Sequence, residues 1–169
     1  MTLTLKAMNR ADRRAEYDFF QQMPEQNGFE VPYRGLPYAE FVATALPARL
    51  AAAAGRDLLA GHVPDTYFFL WDDAQLVGLF KVRHHLNAHL RAGGGHIGYG
   101  ILPQYRGHGY ATRGLALALT ECRRLMPADE SEIYLSCLRT NAASLAAMLA
   151  NGGRVVATDD QEHYVRIAR

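Results

Sequence analysis

Between Ala74 and Thr120 the chain has no aspartate or glutamate, although Lys81, Arg83, Arg91, Arg106 and Arg113 all fall there. Other scarcities exclude whole classes of protein. Two cysteines, Cys122 and Cys137, are too few for a disulfide framework. No apolar run approaches the roughly 20 residues of a membrane span, so no membrane association is expected. Residues 1–10 alternate and carry charge, unlike the apolar stretch of a signal peptide, which leads to the expectation of a cytoplasmic protein. A formal net charge of +1 is too small for a dedicated nucleic-acid binder. Repeats, low-complexity tracts and linkers are missing as well, so residues 1–169 read as one domain. Its 49% hydrophobic and 21% charged residues are the balance of an ordinary globular core and surface.

Residues 2–7 alternate as a half-buried strand does. Asn9 or Asp12 is placed to cap a helix running to about Gln22, followed by a long loop from Pro24 to Pro37. Residues 38–54 read as a second helix that Pro47 should bend or divide. Residues 66–71 and 76–84 flank the turn at 72–75 as a β-hairpin. A polar loop with Gly93, Gly94 and Gly95 leads to a strand over 96–102, and residues 109–125 form a helix with Leu115, Ala118, Leu119 and Cys122 on one stripe. A strand over 132–138, a helix over 141–151 and short strands over 155–158 and 164–167 complete the chain. The expected architecture is α/β (α+β), with a mixed, mostly antiparallel sheet of about seven strands and helices on both faces.

The segment Gln104-Tyr105-Arg106-Gly107-His108-Gly109-Tyr110-Ala111 lies between a strand and a helix start. Its glycines serve either a tight turn or an anion cradle, in which main-chain N–H groups and a helix N-terminus converge on one point. It is neither a dinucleotide fingerprint nor a P-loop, since the third glycine and the Gly-Lys-Ser/Thr ending are missing. The acid-free surroundings favour the cradle and a ligand with several phosphates.

Gln104-x-x-Gly107-x-Gly109, preceded by Ile101-x-Pro103, resembles the pyrophosphate-binding motif of the GNAT N-acetyltransferase superfamily. Asn141-Ala-Ala-Ser144 followed by Gly152-Gly153 is similar to that family's helix after the fifth strand, and the element spacing matches from about Leu3 to Ile167. Residues 63–66, 83–87 and 94–99 resemble a bacterial branch of the superfamily. The resemblance implies a V-shaped splay between strands four and five and acetyl-CoA as cosubstrate. It places pantetheine against the main chain at Tyr99 and Ile101. The pyrophosphate would rest on the N–H groups from Arg106 through Gly107, His108, Gly109, Tyr110 and Ala111 toward Thr112, with Asn141 and Ser144 near the pantetheine arm. It also implies an amine acceptor; relatives often dimerise, which leaves a homodimer open without fixing the oligomeric state.

Amine acetylation needs a neutral amine, a stabilised oxyanion and a leaving thiolate. Main-chain N–H near Tyr99 is the expected oxyanion donor. Met148 occupies the position where many relatives carry a proton-donating Tyr, and Met can only pack. Tyr134 and Cys137 are candidate substitutes, although each reads first as a packed strand residue. His96 and Glu30 are the candidate bases, against readings as a backbone-bonded histidine and a solvated loop carboxylate. The histidines at 84, 85, 89 and 96 match no standard metal spacing, and no metal is expected. Phe29, Tyr33, Tyr38 and Phe41 beside Glu25, Glu30 and Glu40 would suit a cationic, partly apolar amine or simply a core. A non-catalytic acyl-CoA-binding module and a protein-modifying acetylase are the rival readings.

Overall fold

The computed structural model describes residues 2–169. Seven strands form two sheets, both wholly antiparallel, rather than one mixed sheet. In the first, β1 (Leu3–Ala7), β2 (Asp65–Asp72), β3 (Gln75–Arg83) and β4 (Ile97–Ile101) pair in that order. In the second, β7 (Glu162–Ala168) lies between β5 (Glu132–Leu138) and β6 (Arg154–Thr158). The crossover from β4 to β5 runs through α5 (Tyr110–Leu125) and produces no ladder between those strands. They are joined at a single place, where the His96 N–H donates to the Tyr134 carbonyl at 2.7 Å and the Tyr134 N–H donates to His96 Nδ1 at 2.9 Å. From there the strands diverge, giving the expected splay.

Two apolar clusters clothe the first sheet. On one face, Phe80, Leu115, Ile133, Met148 and Val165 bind α5 and α6 (Ala142–Ala150) to both sheets. The stripe Leu115, Ala118, Leu119 and Cys122 is buried, which fixes α5 across β3 and β4 and aims its N-terminus past the end of β4. On the other face, α1 (Arg13–Gln22) packs Phe19 and Phe20 against Phe41 and Phe69 through edge-on and tilted ring contacts.

Pro47 has the anticipated effect in an unanticipated form. Helical residues 38–53 comprise α2 (Tyr38–Glu40), a π-helical turn at Phe41–Ala45 and α3 (Leu46–Ala53). The Leu46 N–H reaches back five residues to the Phe41 carbonyl, widening the helix just before the residue that has no N–H to give. The polar loop before β4 also holds a short helix, α4 (Ala88–Ala92), capped where the Asn87 side chain accepts the Leu90 N–H at 2.9 Å.

Glu16, on the inner face of α1, is 1% exposed, with one oxygen accepting the Asn9 N–H at 3.0 Å and the other without a partner. Burial, aided by Asp12, raises its carboxyl to about 8, against the opposing pull of the Asn9 bond and Lys6. A folded-state pKa above the unfolded value means its contribution is complete at pH 4 and is lost as pH rises through about 8. Glu16→Gln, which mimics the neutral acid, is therefore expected to raise the melting temperature at pH 8 to 9 and to leave it nearly unchanged at pH 4. Melting curves that stay parallel at both pH values would show that the carboxyl does not titrate there.

Candidate active site

Where β4 and β5 diverge, a cleft of about 520 Å³ opens between the sheets. β4 forms one wall, and Ser136, Cys137, Leu138, Asn141 and Ser144 the other, with residues 26–29 at the rim. The Arg83 N–H bonds to the His96 carbonyl and the Leu102 N–H to the Val77 carbonyl, which sets the alternation along the β3–β4 pair. By that alternation Gly98 and Gly100 spend their N–H and C=O groups on β3, whereas those of Tyr99 and Ile101 face the cleft. An extended ligand there would meet a ready-made strand edge. The Ile101 carbonyl already accepts Arg106 Nε at 3.0 Å, and Arg106 Nη1 reaches Gln26 Oε1 at 2.8 Å, so this side chain folds back to tie the rim to β4.

At the open end the chain passes through a 3₁₀ turn at Pro103–Tyr105 and enters the glycine loop. Gly107 and Gly109 have φ of +80° and +76°, values that side-chain-bearing residues rarely adopt. α5 follows with no side-chain cap and no acid in its first turn, so its leading N–H groups have no side-chain acceptor among the described residues and carry its positive dipole end. Gly107, Gly109, Tyr110, Ala111 and Thr112 all line the cleft. His108 is exposed, its Nδ1 3.3 Å from the Tyr105 carbonyl, and the His108 carbonyl accepts Arg113 Nη2 at 3.1 Å. β5 and the start of α6 frame the other wall. Asn141 caps α6 by accepting the Ser144 N–H at 3.2 Å, and the Ser144 hydroxyl lies 2.8 Å from the Tyr99 hydroxyl across the splay.

A family model for the acetyltransferase (GNAT) domain matches residues 2–154. The chain belongs to the GNAT acetyltransferase family. Solved structures agree in fold. The spermidine N-acetyltransferase from Vibrio cholerae, in complex with CoA and spermine, superimposes with a TM-score of 0.63 at 16% identity, over 98% of this chain and 95% of that one. The GNAT domain of S. lividans PAT gives 0.66 at 11% identity, over 100% and 92%. A ribosomal-protein alpha-N-acetyltransferase, RimL, in complex with coenzyme A gives 0.62 at 15% identity, over 99% and 93%. No curated protein sequence gives a significant match.

Within this GNAT fold the expected chemical residues scatter. Tyr99 stacks on Phe80 with ring centroids 5.3 Å apart, and burial pushes its hydroxyl up to about 12, so it stays protonated at neutral pH. His96 is fully buried. Its Nδ1 lone pair receives the Tyr134 N–H, so the ring carries its proton on Nε2, and burial depresses its pKa to about 4. The geometry leaves His96 without an accessible lone pair and makes it the rung that joins the two sheets. Glu30 has an exposed side chain outside the cleft lining, and its carbonyl accepts Lys81 Nζ at 2.6 Å. Met148 is buried in the core, and Tyr134 lies under the Arg166 guanidinium, 3.6 Å from its ring centre. Cys137 lines the cleft, its thiol pushed up by burial and by Glu162. Glu25, Glu40 and the four aromatics also lie outside the lining, except Phe29.

Two cleft residues have no role assigned from the sequence: Glu162 is not singled out there, and Arg83 counts only as one cation of the acid-free stretch. Glu162, at the start of β7, is the one carboxylate among the described residues that line the cleft, and it accepts the Ser136 hydroxyl at 3.3 Å. Arg83, at the end of β3, lines the cleft beside Gly94 and Gly98. No group of three or more His, Cys, Asp or Glu among the described residues is arranged to hold a metal, and no described helix is long and apolar enough to cross a membrane.

Proposed function

We propose that the protein transfers the acetyl group of acetyl-CoA to a primary amine by direct attack within a ternary complex. The observation that carries this is a single cleft with two ends of different chemistry. At one end is the cradle of Gly107, Gly109 and the α5 N-terminus; along its length run the cleft-facing main-chain groups of Tyr99 and Ile101. The N–H groups from Arg106 to Thr112 hold the pyrophosphate, and the side-chain amide of Asn141 with Ser144 brackets the pantetheine arm.

The thioester then lies toward the closed end of the splay. The amine nitrogen attacks the thioester carbon, and main-chain N–H at Tyr99 receives the developing oxyanion. The amine must first give up a proton, and Glu162 is the carboxylate positioned to take it, directly or through one water. As the C–N bond forms, the C–S bond breaks; the thiolate, whose conjugate acid has a pKa of about 8.5, departs with little need of a dedicated acid. Cys137 and the Tyr99 hydroxyl are the cleft's proton donors for it. A carboxylate lining the cleft favours a catalyst over a module that only binds acyl-CoA, because binding the donor needs no base.

Thiol release from acetyl-CoA in the presence of an amine panel tests the reading. Glu162→Gln is expected to lower kcat by about 100-fold or more, the ordinary worth of a positioned base, with acetyl-CoA affinity within about two-fold of the parent. The loss should shrink as pH approaches the amine's own pKa. A Glu162→Gln enzyme of normal rate at neutral pH would remove the residue from the mechanism.

A further inference from the structure

Apart from Arg91, which is paired with Glu130, the cations of the acid-free stretch from 75 to 120 divide spatially into two groups. Arg106 and Arg113 accompany the glycine loop, whereas Lys81 and Arg83 sit at the opposite end of β4, where the Arg83 N–H bonds to the His96 carbonyl. CoA carries its phosphates at the loop end, so the cations at the other end have no donor charge to meet.

Arg83 is partly buried, and its Nη1 donates to the Gly95 carbonyl at 2.9 Å. No carboxylate among the described residues pairs with it. Asp65, directly opposite in the β2–β3 ladder, is paired with Arg49 instead. A carbonyl can orient a guanidinium but does not neutralise it; burial lowers the Arg83 pKa, and Asp65, already paired with Arg49, and Glu30 oppose this only from a distance, without a direct ion pair. The Nε–Nη2 edge, with its two parallel N–H groups, is left unengaged within the described chain. That edge matches a carboxylate in two-point geometry.

The surroundings keep the same face open. Gly94 lies against the guanidinium, its nearest approach being 3.5 Å from a would-be Cβ to Nη1, and a Cβ on Gly98 would meet nothing within 4 Å. Lys81, two residues along on the same face, is held to the Glu30 carbonyl and also lacks an ion-pair partner among the described residues. Burial and the neighbouring Arg83 and Arg49 cations lower its pKa to about 8, with Glu30 and Asp65 opposing. Of these two cations Arg83 is the one that lines the cleft, whose lining carboxylate is Glu162.

On the acetyltransferase reading above, we infer that the acceptor is an amino-carboxylate, held by its carboxylate on Arg83 with its amine presented toward Glu162. A polyamine, the class of the spermine bound in the Vibrio cholerae neighbour, would bring further positive charge to Arg83, and the same fold here selects the opposite charge.

The experiment measures thiol release with the twenty amino acids, their carboxamides and spermidine. At least one acid should exceed its carboxamide in kcat/KM by about 100-fold, the worth of a charge-assisted two-point contact, and spermidine should be poor. Arg83→Gln should bring the acid-to-amide ratio close to one, and Arg83→Lys should restore part of it. A guanidinium that merely supports Gly95 would instead slow every acceptor alike and preserve the ratio. Acetyl-CoA affinity by calorimetry reports whether each variant is folded, and if the Gln variant is not, the Lys variant alone decides by its ratio. Amides or spermidine matching the acids would overturn the anionic acceptor and leave the transferase intact. Thiol release from no amine at all would overturn both.

Discussion

Gly107→Glu is expected to weaken acetyl-CoA binding by at least about 100-fold. Two effects add. The residue has φ +80°, and an L side chain there costs about 1 kcal/mol or more. The larger effect is charge: a carboxylate about 5 Å from one phosphate charge at an effective dielectric of about 20 costs about 3 kcal/mol. Crowding against the protein itself adds nothing, because a Cβ at Gly107 meets none of its atoms within 4 Å. Gly107→Ala therefore isolates the backbone cost and should lose less than about ten-fold. Calorimetry on the pair separates the two causes, and a Glu variant that binds as tightly as the parent would discard the cradle.

Gly95→Ala carries the largest expected effect on stability. A Cβ on Gly95 would land inside the van der Waals envelope of the Tyr134 carbonyl, at a residue whose φ is +66°. The clash is with main chain, which has no rotamer into which to retreat. It also falls on the carbonyl that accepts the His96 N–H, so relief means breaking the rung between the sheets. Strain and the lost bonds together are expected to cost about 3 kcal/mol or more. Urea unfolding measures this directly. A variant of parental midpoint would mean that the two sheets are held by their shared core alone.

Much of this was legible in the sequence for local reasons. Gly107 and Gly109 sit between a strand ending and a helix beginning, where only a few backbone shapes are open. The stripe on α5 repeats at helical spacing and is buried as its period requires. The hairpin turn was marked by its Asp-rich residues, and Asp73 takes φ 51° there. What was missed depends on partners distant in the chain. Arg83 and Glu162 are 79 positions apart, and no periodicity announces that they share a cleft. Read alone, His96 is a histidine after three glycines; only the neighbouring Tyr134 main chain shows which lone pair is spent. α4 was hidden because five residues are too few for a helical period, although Asn87 three positions before Leu90 was the available signal. The separation into two sheets was invisible because strand spacing reports how elements follow one another, not whether neighbours bond.

The single rung between β4 and β5 has a consequence for how the protein survives in a crowded solution. Beyond it, the main-chain groups of Tyr99 and Ile101 form an interior strand margin, and such a margin accepts any extended chain that fits, including one from an unfolded neighbour. A cosubstrate lying along it would compete for that margin, and its concentration would raise the apparent stability of the fold by mass action. On the donor geometry proposed above, the acetyl-CoA pool would set the enzyme's resistance to aggregation as well as its rate, and scarcity of the metabolite would shorten the life of the catalyst.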